Sequence, residues 1–184
     1  MTNVTTESLF IILLVLLLLS AFFSGAETSL MSVNRYKLKH KCKQGSKSAK
    51  RVDYLISNPE KILGLILLLN NFVNILASAI TTLIAVKLYG IPGVAISVII
   101  LTVVILIFAE VTPKTFAALY PDKIAYPISW VFYPLMKIFY PIIFVINLFS
   151  KIILRVFGVK NENYNKEMPK FPSSINCKPN KASF

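Results

Sequence analysis

A single carboxylate, Glu110, follows roughly twenty uncharged residues from Ile91 to Ala109 and is followed at once by Val111-Thr112-Pro113-Lys114. A carboxylate at bilayer depth is costly unless it is protonated, paired or bound to a cation, so such a position marks an ion or substrate path. Pro113 has no N–H, and in an α-helix it leaves the carbonyl of Ala109 without its donor. A free carbonyl beside a carboxylate is half of a site for a hard cation. Two polar stripes could supply the rest: Ser20, Ser24 and Glu27 stand at i, i+4 and i+7, and Asn70, Asn74 and Ser78 at i, i+4 and i+8, with Asn71 one position off the stripe. Adding the Ser24 hydroxyl and the Asn70 and Asn74 amide oxygens gives on the order of five or six oxygens from three helices, the ligation that suits Mg2+ and its relatives. Zinc or copper would want imidazole or thiolate. His40 and Cys42 both fall in a basic segment outside the apolar runs.

Each of these features has a plainer reading. Serines and glycines let membrane helices approach, and amides bond across helices, so the stripes could serve packing alone. Gly25 and Gly64 could allow the close approach that either reading needs. Glu27 lies nearer the basic segment, where a structural ion pair to Arg35 or Lys39 competes with a place on the ion path.

The elements that carry these residues follow from apolar runs. The first run goes from about Leu9 to Val33, the second from about Ile62 to Val86 and the third from about Val94 to Ala118, each long enough to span a bilayer. Asn58-Pro59-Glu60 is a helix start, with Asn58 placed to cap and Pro59 suited to the first turn. Tyr89-Gly90-Ile91-Pro92-Gly93 is a short turn that returns the chain directly. Between the first two spans, Asn34 to Arg51 carries Arg35, Lys37, Lys39, Lys41, Lys43, Lys47, Lys50 and Arg51 with no acid, which marks a cytoplasmic loop and puts the Tyr89–Gly93 turn outside.

The last apolar stretch, Ile124 to Phe157, is interrupted by Pro127, Pro134 and Pro141 and holds Lys137, Lys151 and Arg155. Prolines at that spacing break a straight helix into pieces. A full crossing would put Lys151, Arg155 and Lys160 outside, against the charge bias, whereas a re-entrant hairpin or interfacial helices keep them inside. The expectation is an all-α integral membrane protein of the cell membrane. It has three transmembrane helices, N-terminus out and C-terminus in, plus juxtamembrane and Pro-broken interfacial or re-entrant helices; four spans is the alternative. Residues 1–158 form the membrane domain, and 159–184 turn polar and Pro/Asn/Lys-rich, as a disordered tail does.

Composition agrees. A chain of 184 residues that is 55% hydrophobic, with a mean hydropathy of +0.67, is too apolar for a soluble domain. The net charge of +12 would suggest nucleic acid in a soluble protein. Here the cations flank apolar spans, where anionic membrane lipid and topology account for them, and no nucleic-acid partner is expected. Tyr120, Trp130, Tyr133 and Tyr140 read as an interfacial aromatic belt. Cys42 and Cys177 are far apart in polar segments and suggest neither a metal cluster nor a disulfide framework.

Phe23-Ser24-Gly25-Ala26-Glu27-Thr28, Asn70-Asn71-Phe72-Val73-Asn74 and Ala109-Glu110-Val111-Thr112-Pro113-Lys114, in that order, resemble the membrane domain of the CNNM/CorC family of magnesium transporters over about residues 5 to 158. The resemblance implies a homodimer with three spans per subunit, a cytoplasmic juxtamembrane helical belt, and Mg2+ export in exchange for Na+. It carries ion binding to Ser24, Asn70, Asn74 and Glu110, with the Ala109 carbonyl as a further ligand; the family often has Gly at that last position, a change that keeps the carbonyl. Most members continue into cytoplasmic CBS modules that bind adenine nucleotide. This chain ends instead in its polar tail, as a stand-alone membrane domain or a truncated one would.

The leading expectation is therefore a secondary transporter with a dehydrated oxygen-ligand site for a divalent cation between membrane helices. The alternative is a membrane scaffold or accessory subunit whose polar residues only hold helices and a dimer together. No enzyme is expected, because the membrane carboxylates lack a nucleophile, base and orienting group in reach of one another.

Overall fold

The computed structural model describes residues 5–143 and Val145. The polar tail, Cys177 and the rest of the last apolar stretch to Phe157 lie outside the described residues. Every regular element within them is helical: α1 (Thr6–Ser32), α2 (Arg35–Lys43), α3 (Lys47–Ile56), α4 (Pro59–Tyr89), α5 (Pro92–Val104), a π-helical segment (Ile105–Val111), α6 (Thr112–Leu119) and α7 (Pro121–Ile138). These elements belong to two compact units, residues 5–29 with 66–120 and residues 30–65 with 121–145, the latter described except for Phe144.

The first unit is built on the expected spans. Among the described residues three helices are long and apolar enough to cross a membrane: Thr6–Ser32, Pro59–Tyr89 and the continuous run Pro92–Leu119. The shortest has 27 residues, and at ~1.5 Å per residue it reaches about 40 Å, more than the hydrocarbon core requires. The Thr5 hydroxyl starts α1 by accepting from the Ser8 N–H at 3.4 Å. Gly90 adopts φ +71° and turns the chain from α4 into α5. Gly93 sits against the Cβ of Tyr89, where any side chain would collide. The turn read from Tyr89 to Gly93 is thus fixed by two glycines for two different reasons.

In the second unit, the basic segment read as a loop forms two helices. Asn34 caps α2, its Oδ1 accepting from the N–H groups of Tyr36 (3.0 Å) and Lys37 (3.1 Å). Gly45, at φ +84°, ends it. Ser46 then caps α3 by accepting from the Ala49 N–H at 3.4 Å. Ala49, Val52, Asp53 and Ile56 are buried on one face of α3, and Ala125, Ile128, Ser129, Phe132 and Met136 on one face of α7. These two helices pack together, with the Tyr54 and Tyr133 rings edge to face at 5.4 Å. On α2, Lys37 and Lys41 stand one turn apart and meet Asp122 and Tyr126, also one turn apart, on α7: Lys37 Nζ lies 3.9 Å from Asp122 Oδ2, and Lys41 Nζ lies 4.0 Å from the Tyr126 ring centre. Burial pushes the Asp53 carboxyl above the usual aspartate range, and the Arg35 charge offsets part of that rise.

Three expectations need correction. Pro127 and Pro134 do not break the last helix, which runs through both to Ile138 before a break at Phe139. Both prolines are on the exposed face of α7, where no neighbouring helix is displaced and the helix need only curve. The Asn58 side chain does not cap α4; its Nδ2 donates to the Tyr54 carbonyl at 3.0 Å and ties the end of α3 instead. Cys42 is disulfide-bonded, which the separation of the two cysteines did not suggest.

Candidate cation site

The polar face of α1 meets two other helices within the first unit. Ser20 and Ser24, one turn apart, are both fully buried. Ser20 Oγ lies 3.0 Å from Asn70 Oδ1 and 2.8 Å from Asn74 Oδ1 on α4. A hydroxyl has one proton, so it can satisfy only one of these two acceptors fully. As the side chains are placed, both amide oxygens turn toward the hydroxyl, so three oxygen atoms gather at one point between α1 and α4. Asn71 is exposed, as its place off the stripe requires.

One turn further along, Ser24 Oγ donates to the backbone carbonyl of Glu110 at 3.4 Å. A Cβ at Gly25 would lie 3.6 Å from the Pro113 carbonyl and 3.8 Å from the Pro113 Cβ, ordinary contact distances, so α1 and the third span touch here nearly backbone to backbone. Gly64, by contrast, has nothing within 4 Å of such a Cβ among the described residues of this chain. Glu27 Oε2 lies 3.7 Å from Lys114 Nζ. The partner of Glu27 is thus neither Arg35 nor Lys39. The pairs 24–110, 25–113 and 27–114 advance together, so α1 and the third span run parallel at this contact.

The third span departs from the α-helix where the carboxylate sits. Through Ile105–Val111 the register is π, and the Thr112 N–H bonds the Ile107 carbonyl, five residues back. In the α register the missing N–H of Pro113 deprives Ala109 of a donor; in the π register it deprives Phe108. The proline therefore produces a widened turn, and the single free carbonyl expected from an unbroken α-ladder is too simple a description. The Glu110 carbonyl, turned to Ser24, belongs to that turn. Ala109 is fully buried beside it.

Of the residues expected to bind an ion, Ser24 meets Glu110 through its backbone, while Asn70 and Asn74 meet each other at Ser20. Among the described residues no hydrogen bond joins the two groups, and the half-buried Glu110 carboxylate has no ion pair. Ser20 was on the polar stripe yet outside the expected ligand set, although its place four residues before Ser24 was the signal. Among the described residues no group of three His, Cys, Asp or Glu side chains could hold a metal, and the donors gathered here are hydroxyl, amide, carbonyl and one carboxylate.

Residues 11–170 match the family model described as the cyclin M transmembrane N-terminal domain. The chain is 47% identical over 144 residues to the UPF0053 inner membrane protein YfjD of Escherichia coli, covering 78% of this chain and 34% of that protein. It is 45% identical over 160 residues to a UPF0053 protein of Haemophilus influenzae, covering 87% and 38%. A chloroplastic DUF21 domain-containing protein of Arabidopsis thaliana is 35% identical over 158 residues, covering 83% and 23%. The chain thus spans little more than a third of the length of the bacterial relatives. It belongs to the cyclin M transmembrane-domain family and is a multi-pass membrane protein.

Proposed function

We propose that this member of the cyclin M family is a secondary transporter of Mg2+ in the cell membrane, exporting the ion in exchange for Na+ as a homodimer. Membership of the family carries a membrane-transporter-like role. The observation that supports a cation as cargo is the convergence of the Ser20, Asn70 and Asn74 oxygens, set on the same face of α1 as the contact to Glu110. Oxygen donors with one carboxylate favour Mg2+ over softer ions. In this reading Ser24, Asn70, Asn74, Glu110 and the Ala109 carbonyl come together on the ion, with Ser20 as the hinge of the amide pair. The N-terminus lies outside and the basic helices α2 and α3 lie in the cytoplasm against anionic lipid. No catalytic role is proposed.

The second reading, a scaffold or accessory subunit, draws on the same Ser20 contact, because a hydroxyl bonded to two amides also holds α1 to α4. Isothermal titration of the purified chain with Mg2+ separates the two. We expect saturable binding that Glu110→Gln abolishes while the protein still elutes as an assembled species. Absence of binding by the wild type supports the scaffold, and equal binding by Glu110→Gln removes Glu110 from the site.

A further inference from the structure

We infer that Glu27 is a positioning residue that holds the Lys114 ammonium away from the Glu110 carboxylate and so keeps that carboxylate available to a divalent cation. The inference rests on the cation-site reading of Glu110. Lys114 follows Glu110 by four residues, and a glutamate four residues before a lysine is the favoured order for an ion pair along one helix. By sequence alone, Glu110 is the natural partner of Lys114. In the structure Lys114 Nζ is instead 3.7 Å from Glu27 Oε2 on α1, and Glu110 has no ion pair among the described residues.

The helix contact produces this choice. The parallel approach of α1 at Gly25 and Pro113 carries Glu27 alongside Lys114. Both partners remain about half exposed, with side chains 40% and 45% accessible, so the pair is weak and readily exchanged. Lys114 is in effect a tethered monovalent cation that pairs with one carboxylate and follows another by four residues. With Glu27 charged it rests there; with Glu27 neutral, Glu110 is its remaining carboxylate partner, and a metal must then displace it.

The test is a double-mutant cycle read by isothermal titration with Mg2+ on the purified chain. Glu27→Gln should weaken affinity about three- to fivefold. Lys114→Gln should bind at least as tightly as the wild type. Combining the two should restore affinity to within about twofold of the wild type, because the competitor is gone with its holder. Glu27→Asp, which keeps the charge, serves as the conservative control and should retain most of the affinity even if the glutamine variant elutes poorly. Unchanged affinity in Glu27→Gln, or a double variant as weak as Glu27→Gln alone, overturns the proposal. Glu110→Gln distinguishes the levels: loss of binding there with no effect of Glu27→Gln removes only the positioning role, whereas unchanged binding in Glu110→Gln removes the site and this inference with it.

Discussion

Ser20 Oγ, on the first membrane helix, lies 2.8 Å from Asn74 Oδ1 on the second, and the same oxygen reaches Asn70 at 3.0 Å. One buried hydroxyl therefore fixes how two amides, one turn apart, present their carbonyl oxygens. The separation of Asn70 and Asn74 in sequence makes them neighbours; Ser20 gives them a common direction.

Ser20→Ala deletes that shared donor and leaves two part-buried amide oxygens without it. The expected cost is about 1–2 kcal/mol of stability, the usual penalty for an unsatisfied buried acceptor, seen as a lower thermal midpoint in detergent. On the transporter reading Mg2+ affinity falls as well, by a smaller factor than in Glu110→Gln, because a neutral group is lost and the charge remains. A lower midpoint with unchanged Mg2+ titration would assign Ser20 to packing alone.

Pro113→Ala should weaken Mg2+ binding without altering any side-chain ligand. The new N–H at position 113 allows the ladder to close in the α register, drawing the carbonyls of the widened turn back into the helix. Infrared or hydrogen-exchange measurements should show stronger protection around residues 105–113. Wild-type affinity in this variant would show that the π turn has no part in the site.

Asp53 gives a pH dependence with a defined sign. Burial raises its carboxyl above the usual aspartate range, with partial opposition from Arg35. A group raised on folding stabilises the fold below its unfolded value and loses that contribution as pH rises through the folded value. The wild type should therefore gain thermal stability relative to Asp53→Asn as pH falls from neutral toward the ordinary aspartate range. A difference between the two that is flat or widens in the other direction would count against the buried, desolvated carboxyl.

Topology can be read by thiol labelling. With Cys42 and Cys177 replaced by serine, single cysteines at Ser48 and Lys160 should both be protected from an impermeant reagent in intact cells and both react after lysis. Labelling at position 160 alone in intact cells would mean that the chain crosses once more after Tyr120, giving four spans.

The three spans were legible because a run of about twenty apolar residues has few ways to be anything else in a bilayer. The turn from Tyr89 to Gly93 was legible for a similar reason, since Gly90 and Pro92 leave little conformational choice. Periodicity also assigned Ser20 and Ser24 to one face of α1, and Asn70 and Asn74 to one face of α4. It could not say which faces meet, because a helical stripe reports the geometry of its own helix only. Tertiary packing decided that Ser20, and not Ser24, meets the amides, and that Glu27 pairs with Lys114 in place of Arg35 or Lys39. It also carried α7 through Pro127 and Pro134, both of which lie on an exposed face. In the basic segment the dense lysines concealed a helical pattern, and burial of Ala49, Val52 and Ile56 made it visible. Pro113 announced that the third span would lose a backbone bond; the π register over Ile105–Val111 set where that loss falls. Such choices depend on contacts between segments far apart in the chain, and those exist only once the helices have packed.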